Sequence, residues 1–370
     1  MTESINTNRR FHFNFKKITT FLPITMISMS FAACVATGLI GYINSQSALS
    51  NAISNKLDII VEARANLVES KLNSVKVDLA SMASGSAANF VINDLAPVLE
   101  MIPSDLPQIL KYFQTPETSK VRAELNGKGE KTMYAYKHIN VHKSFSTNWL
   151  NSGYGEVYIL DKAGLIVYSV AKSADFLKSI NDKELTSSGL ANIFNQAKNT
   201  PAGTQISTKF KNYAFNANKP SLFIAEPIWG AMGIGEPKFQ GVLAIRLDTQ
   251  FFDNILNDRK NLGVTGQTYL TNVNGLLLSN MSLEAVPTSL QKTLSYGLLK
   301  NSIENNNVTH GIEHTKAGAS IILSVAPLSF LNNKWAIAAE ISEVEAMAPI
   351  STLRNSMLFG ALAVLVFAAL

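Results

Sequence analysis

The chain has a single cysteine in 370 residues, Cys34, so no intrachain disulfide can form. It also has no thiolate nucleophile or cysteine-based zinc site anywhere else. Charge is sparse: Asp, Glu, Lys and Arg make up 16% of the chain, and the net charge of +5 comes partly from a basic head. No Lys/Arg stripe interleaved with aromatics occurs, which argues against a nucleic-acid partner. Also missing are a Gly-x-Ser-x-Gly elbow, a phosphate-cradling loop and a convincing pair of catalytic carboxylates. The glycine-rich Gly230–Gly235 ends no β–α unit and precedes Pro237, so it reads as a hairpin tip. Neither an enzyme nor a resident cofactor is therefore expected.

Two long uncharged apolar runs are present, Ile18–Ile43 and Met357–Leu370. Roughly 20 apolar residues at 1.5 Å rise cross a bilayer's hydrocarbon core. Arg9, Arg10, Lys16 and Lys17 precede the first run and place that flank in the cytoplasm. Phe31-Ala32-Ala33-Cys34 resembles a lipoprotein cleavage site, but the apolar run continues through Ile43, which favours an uncleaved anchor. The second run is shorter than a span, so the chain is expected to be cut in mid-membrane. The region between the runs is expected on the far side, periplasmic or extracellular, and is large enough for one or two domains.

After the first run, Asn44 to about Glu100 lacks proline until Pro97 and carries Ile53, Leu57, Ile60 and Leu67, then Leu72, Val75, Leu79 and Met82, at helical spacing. This predicts one long helix, packed on its own domain, with a dimer seam near the membrane, or both. Pro97, Pro103, Pro107 and Pro116 then break the pattern into shorter helices and turns. Gly155–Asp161 and Leu165–Val170, joined by Lys162-Ala163-Gly164, read as a β-hairpin. A helix is predicted over Ser188–Lys198, with strands at Thr204–Phe210, Ser221–Ile228 and Phe239–Leu247 forming a five-stranded antiparallel sheet. The order then recurs in Gly266–Asn272, a turn at Val273-Asn274-Gly275, Leu276–Ser279, Ala319–Pro327 and Lys334–Ile341, which implies two copies of one α+β module.

Three pieces, Gly153–Phe176, Asn218–Asp248 and Leu262–Asn280, resemble the double Cache sensor region of bacterial chemoreceptors, the methyl-accepting chemotaxis proteins. The resemblance implies an α+β fold: a long N-terminal helix and two PAS-like (Cache) modules with antiparallel sheets, bracketed by two transmembrane helices. The corresponding divisions are a cytoplasmic tail 1–17, a first membrane helix 18–43, a stalk helix 44–105, a membrane-distal module 106–255, a membrane-proximal module 256–345 and the start of a second membrane helix 357–370. It implies a small-molecule ligand in the distal module, a homodimer in the bacterial inner membrane, and cytoplasmic signalling partners reached through the second membrane helix. The same sensor also fronts histidine kinases and nucleotide cyclases. A ligand-free anchored structural protein is a third reading.

Family members that bind amino acids carry Arg-x-Trp-Tyr ahead of the hairpin and an aspartate on the last distal strand. Here the stretch is Thr147-Asn148-Trp149-Leu150, and Arg246 stands near the aspartate's place. An ammonium group would thus be expected to lack its counter-charge. If Arg246 faces the pocket, its guanidinium suits an anion; otherwise it pairs with Glu226 on the neighbouring strand or faces away. Trp149, Tyr213 and Phe215 are candidate pocket walls, or core residues. Asn216 is a loop hydrogen-bonder or serves its turn. His310-Gly311-Ile312-Glu313-His314 matches a metalloprotease pattern that needs a helix, whereas its flanks predict loop or strand. His138 and His142, flanked by Lys137 and Lys143, read as a solvated helix face, and no metal is expected.

Overall fold

The computed structural model describes residues 15–230 and 237–369, with side chains over 21–230 and 237–366. The chain forms α1 (Phe15–Ser84), α2 (Ser86–Phe90), a π-helical turn (Val91–Leu95), α3 (Ala96–Met101), α4 (Leu106–Gln114), α5 (Ser119–Glu124) and α6 (Met133–Ser152). Then come β1 (Glu156–Asp161), β2 (Ile166–Ser169), α7 (Gly189–Ala197), β3 (Ile206–Ser207), β4 (Lys211–Tyr213), β5 (Lys219–Gly230), β6 (Lys238–Asp248) and α8 (Thr249–Leu256). The chain continues as β7 (Gln267–Asn272), α9 (Gly297–Asn305), β8 (Thr309–His314), β9 (Ser320–Phe330), β10 (Asn333–Ser342), α10 (Glu343–Ala346) and α11 (Ala348–Ala369).

It divides into two compact units. The first comprises Met1–Asn55 and Glu343–Leu370, and the second Lys56–Ser342. Within the first unit, α1 and α11 carry the two stretches long and apolar enough to cross a membrane. They meet closely at Gly38, where an added Cβ would lie 2.6 Å from Met357 Cε.

The second unit holds two antiparallel sheets, as the fold class predicts. The first has the order β2-β1-β6-β5-β3, with β4 also pairing with β5. It has six strands rather than five, because a short strand forms just beyond the run expected at 204–210. Only Ile206 and Ser207 pair there, and Lys211–Tyr213 forms a second short pairing further along β5. The second sheet has the order β7-β10-β9-β8. The strand expected at Leu276–Ser279 is reduced to isolated bridges, Leu277 to Thr271 and Leu276 to Thr293.

The long helix breaks at Ser84 and Gly85 rather than running to Glu100. Its buried stripe is Leu57, Val61, Val68, Leu72, Val75 and Leu79, and Leu67 falls outside it at 50% exposure. In the first sheet, alternate residues separate two faces. Tyr158, Leu160, Phe223, Ala225, Val242 and Ala244 belong to one core cluster beneath α7. Tyr269, Leu323, Val325, Ala336 and Ala338 make the equivalent cluster beneath α9 in the second sheet.

Candidate functional site

Strand alternation puts Glu156 and Tyr158 of β1, Phe223 of β5, and Arg246 and Asp248 of β6 on the α7 face of the first sheet. Glu156 lies opposite Arg246 in the β1–β6 register, and Phe223 lies opposite it across β5. Arg246 is thus a buried guanidinium, 5% exposed, at the end of an otherwise apolar strand. Its Nε and one terminal nitrogen donate to the two Asp248 oxygens at 3.0 and 3.3 Å, Nη1 donates to Tyr158 Oη at 3.0 Å, and Nη2 donates to the Gly155 carbonyl at 3.1 Å. Burial alone would lower the Arg246 pKa, but the Tyr158 hydroxyl and Asp248 beside it more than reverse that, so the arginine stays charged. Gly155 makes this fit possible: a Cβ there would overlap the Asp248 carboxylate and come 2.9 Å from Arg246 Nε.

The expected alternative, an Arg246–Glu226 pair, is not what forms. Glu226 is out of phase with Phe223 on β5 and so faces the other way, where it accepts from Gln205 Nε2 at 3.1 Å. The partner is Asp248, two residues along the same strand and on the same face.

Asp175, fully buried in the loop after β2, lies on the same face. Its Oδ2 accepts from both Tyr158 Oη (2.8 Å) and Tyr213 Oη (2.6 Å), whereas its Oδ1 is buried without a hydrogen-bond partner. Asn216 closes the circuit by donating to Asp248 Oδ1 at 2.9 Å, beside Ser221. Tyr213 also stacks obliquely on Phe215, with ring centroids 5.7 Å apart.

Of the residues singled out from sequence, Tyr213, Phe215, Asn216 and Arg246 therefore meet, whereas Glu226 lies on the opposite face. Trp149 continues the buried face of α6 and is half-buried, but its indole Nε1 finds no acceptor and its ring none of these aromatics among the described residues. Two acidic side chains not singled out from sequence lie beside Tyr213 and Arg246: Asp175, with one oxygen unpartnered, and Asp248, already paired with Arg246. Asp248 could have been found from its i+2 spacing to Arg246. Asp175 sits in an irregular loop and carries no periodic signal.

Behind Glu156 lies a second buried polar group. Glu156 Oε1 accepts the backbone N–H of Val157 and of Ala171, and burial raises its pKa to about 7. Lys172, with φ +44°, is equally buried, and burial lowers its pKa to about 7 against the pull of Glu156. Its Nζ donates to the Leu125 carbonyl at 3.2 Å and lies over the Phe113 ring.

His138 and His142, expected on a solvated face, are stacked and buried at 0% and 3% exposure. His142 is held at pKa about 3 by burial and by Lys172, and His138 is lowered for the same reasons. They face inward because Lys137 and Lys143 take the outer positions on the helix, while the imidazoles meet the Asn126 and Ala123 carbonyls. His310–His314 is strand β8, as its flanks predict, and no metal-ligating cluster occurs among the described residues.

The second sheet repeats the strand positions with other charges. Gln267 and Tyr269 of β7 stand where Glu156 and Tyr158 stand in β1, and Glu340 of β10 lies opposite Gln267 as Arg246 lies opposite Glu156. Glu340 accepts from Tyr269 Oη at 2.7 Å and Gln267 Nε2 at 2.8 Å, and burial raises its pKa.

Residues 45–350 match the family model described as Cache domain (dCache_1). The chain belongs to the Cache family. It therefore carries a sensor domain of a family of sensory ligand-binding domains, not of enzymes. No curated protein matches the chain. Among solved structures, the Cache region is similar to the periplasmic sensory domain of the Campylobacter jejuni chemoreceptor Tlp1, at 12% identity and a TM-score of 0.52, covering 81% of this chain and 99% of that one. It is also similar to the ligand-binding domain of the Pseudomonas aeruginosa PAO1 amino acid chemoreceptor PctB in complex with L-Arg (17%, TM-score 0.44, 82% and 93%). A third similar structure is the ligand-binding domain of the Pseudomonas fluorescens chemoreceptor CtaA in complex with L-serine (16%, TM-score 0.43, 79% and 98%). At these identities the likeness is one of fold.

Proposed function

We propose that the Cache region senses a small solute carrying a protonated nitrogen, bound in the distal module, 106–255, and that it is the input of a homodimeric transmembrane chemoreceptor in the bacterial inner membrane. The observation that carries the ligand class is Asp175. A fully buried carboxylate with two tyrosine hydroxyls on one oxygen and nothing on the other needs a donor. Arg246 does not favour an anion, since Asp248 already neutralises it in a two-toothed pair. Tyr213 and Phe215 would wall the solute, and Asn216 and Asp248 would hydrogen-bond its remaining polar atoms.

A solute shifts signalling only by binding two conformations unequally. Asp175 follows β2 and the Tyr213–Asn216 segment ends β4, and Tyr213 donates directly to Asp175, so a solute on the free Asp175 oxygen would favour the arrangement in which that contact is kept. The readout would pass through α11 to cytoplasmic signalling proteins. A histidine kinase or cyclase on the same sensor would be distinguished by its output activity.

The test is isothermal titration of the full chain in lipid nanodiscs against amines, amino acids, purines, sugars and organic acids. Binding confined to solutes with a protonated nitrogen, and weakened at least tenfold by Asp175→Asn, is the expected result. Binding of nitrogen-free acids alone, abolished by Arg246→Ala and unaffected by Asp175→Asn, would overturn it.

A further inference from the structure

Within the second unit, the segment joining β3 to β4 runs along the junction of the two sheets and is pinned at both ends. Ser207 Oγ donates to Asn332 Oδ1 at 2.9 Å and accepts from Asn333 Nδ2 at 2.8 Å, and the Thr208 N–H donates to the Phe223 carbonyl at 2.9 Å. Phe210 packs edge-on against Phe252, with ring centroids 5.5 Å apart, and Lys211 Nζ donates to the Ser187 carbonyl at 2.9 Å. Two lysines spaced by two residues, Lys209 and Lys211, are thereby carried on backbone that these contacts hold in place.

The lysines open on a crevice of about 390 Å³ between α7 and the turn joining β9 to β10, a size typical of small-molecule sites. Asn192 of α7, Asn332 of the turn and both lysines line it, and among the described residues no Asp or Glu does. Its donors are uncommitted. Asn192 Oδ1 accepts from Gln196 Nε2 at 2.7 Å and Asn332 Oδ1 accepts from Ser207, so each amide uses its oxygen within the protein and keeps its nitrogen free. Lys209 has no hydrogen bond or ion pair among the described residues, and Lys211 keeps two of its three N–H groups.

Two ammonium groups and two amide nitrogens with no carboxylate facing them suit a dianion. A phosphate group carries about −1.5 to −2 charges at pH 7 and offers three strong acceptor oxygens, which matches the two lysines; a single carboxylate, with one charge and two oxygens, leaves half of these donors unmet. We propose that the crevice binds a phosphate-bearing solute, held by Lys209, Lys211 and Asn192 from the first sheet's side and by Asn332 from the second. Such a ligand bridges the two sheets beside the Asn333–Ser207 contact and so tightens their junction. The site uses none of the residues assigned to the solute with a protonated nitrogen, so Asp175→Asn separates the two readings.

The experiment is isothermal titration of the full chain in lipid nanodiscs with inorganic phosphate and, separately, glycerol 3-phosphate, at an ionic strength fixed with chloride. Expected is one-site binding of at least one probe, weakened at least tenfold in the double variant Lys209→Gln/Lys211→Gln, which should keep the wild-type melting temperature in phosphate-free buffer. Lys209→Arg/Lys211→Arg should bind within about threefold of wild type, because guanidinium groups also pair with phosphate, and Asp175→Asn should bind as wild type does. Tighter binding of glycerol 3-phosphate would make the ligand a phosphate ester, and equal or tighter binding of inorganic phosphate would make it the free ion. No binding of either probe would overturn the proposal. So would binding that the glutamine pair leaves unchanged, or that Asp175→Asn abolishes.

Discussion

At the scale of single residues, the region around the first sheet keeps two ionisable groups where water cannot reach them, and the consequence is a pH profile. The Glu156 carboxyl holds its proton to about pH 7 in the fold, against 4.5 ordinarily. Between those values the folded state binds more protons than the unfolded chain, and stability falls as pH rises. Lys172 runs the other way. Its amine deprotonates near pH 7 in the fold and near 10.5 in the unfolded chain, so stability rises with pH across that window. Together they place a minimum near neutrality. Thermal melts of Glu156→Gln should lack the falling limb between about pH 4.5 and 7, and melts of Lys172→Met the rising limb above 7. Superimposable wild-type and variant profiles would mean that neither group is as buried as the geometry makes it.

At the scale of elements, α1 is tied to both sheets by polar groups that interrupt its apolar stripe. Asp58 accepts from Ser324 of β9 at 2.5 Å and from His310 Nδ1 of β8 at 2.8 Å, Arg64 meets Asp258 at 2.9 Å, and Asp78 accepts from Tyr154 Oη at 2.6 Å. Asp58 is the tie that serves two strands at once, and β8 is an edge strand with only one neighbour. Replacing Asp58 by Ala leaves two donors without their shared acceptor. Hydrogen exchange across Thr309–His314 is expected to speed up about tenfold, equivalent to about 1.4 kcal/mol, within the range for a hydrogen bond to a charged group. Exchange that stays at the wild-type rate would mean that the α9 packing alone holds β8.

At the scale of the whole second unit, the two sheets are coupled by a small polar knot beside an aromatic cluster. Asn333, the first residue of β10, donates to Ser207 Oγ at 2.8 Å and to the Thr208 carbonyl at 3.1 Å. Trp335, two residues on, meets Phe210, Phe252 and Phe330 at 6.0 Å between ring centroids. The start of β10 thus fastens the second sheet to the first. Asn333→Ala is expected to cost about 1–3 kcal/mol, lowering the melting temperature by about 2–4 °C per kcal/mol. It should also split one calorimetric transition into two. A single transition at an unchanged temperature would show that the aromatic cluster suffices.

Local chemistry alone determined much of this protein. The apolar runs, the β1–β2 hairpin around Gly164, the α7 helix behind the Ser188 cap and the recurrence of strand order are all legible in periodicity, turn residues and motif. What the tertiary structure decided is which way side chains face and what meets them. The sequence shows that Glu226 and Arg246 belong to consecutive strands but not that they point to opposite sides, because that depends on register. The inward turn of His138 and His142 required the 123–126 carbonyls, supplied from elsewhere in the chain. Asp175 joined Tyr158 and Tyr213 only because an aperiodic loop folds over the sheet. Long-range contacts of this kind leave no mark in local sequence, and they set the charge of the candidate site.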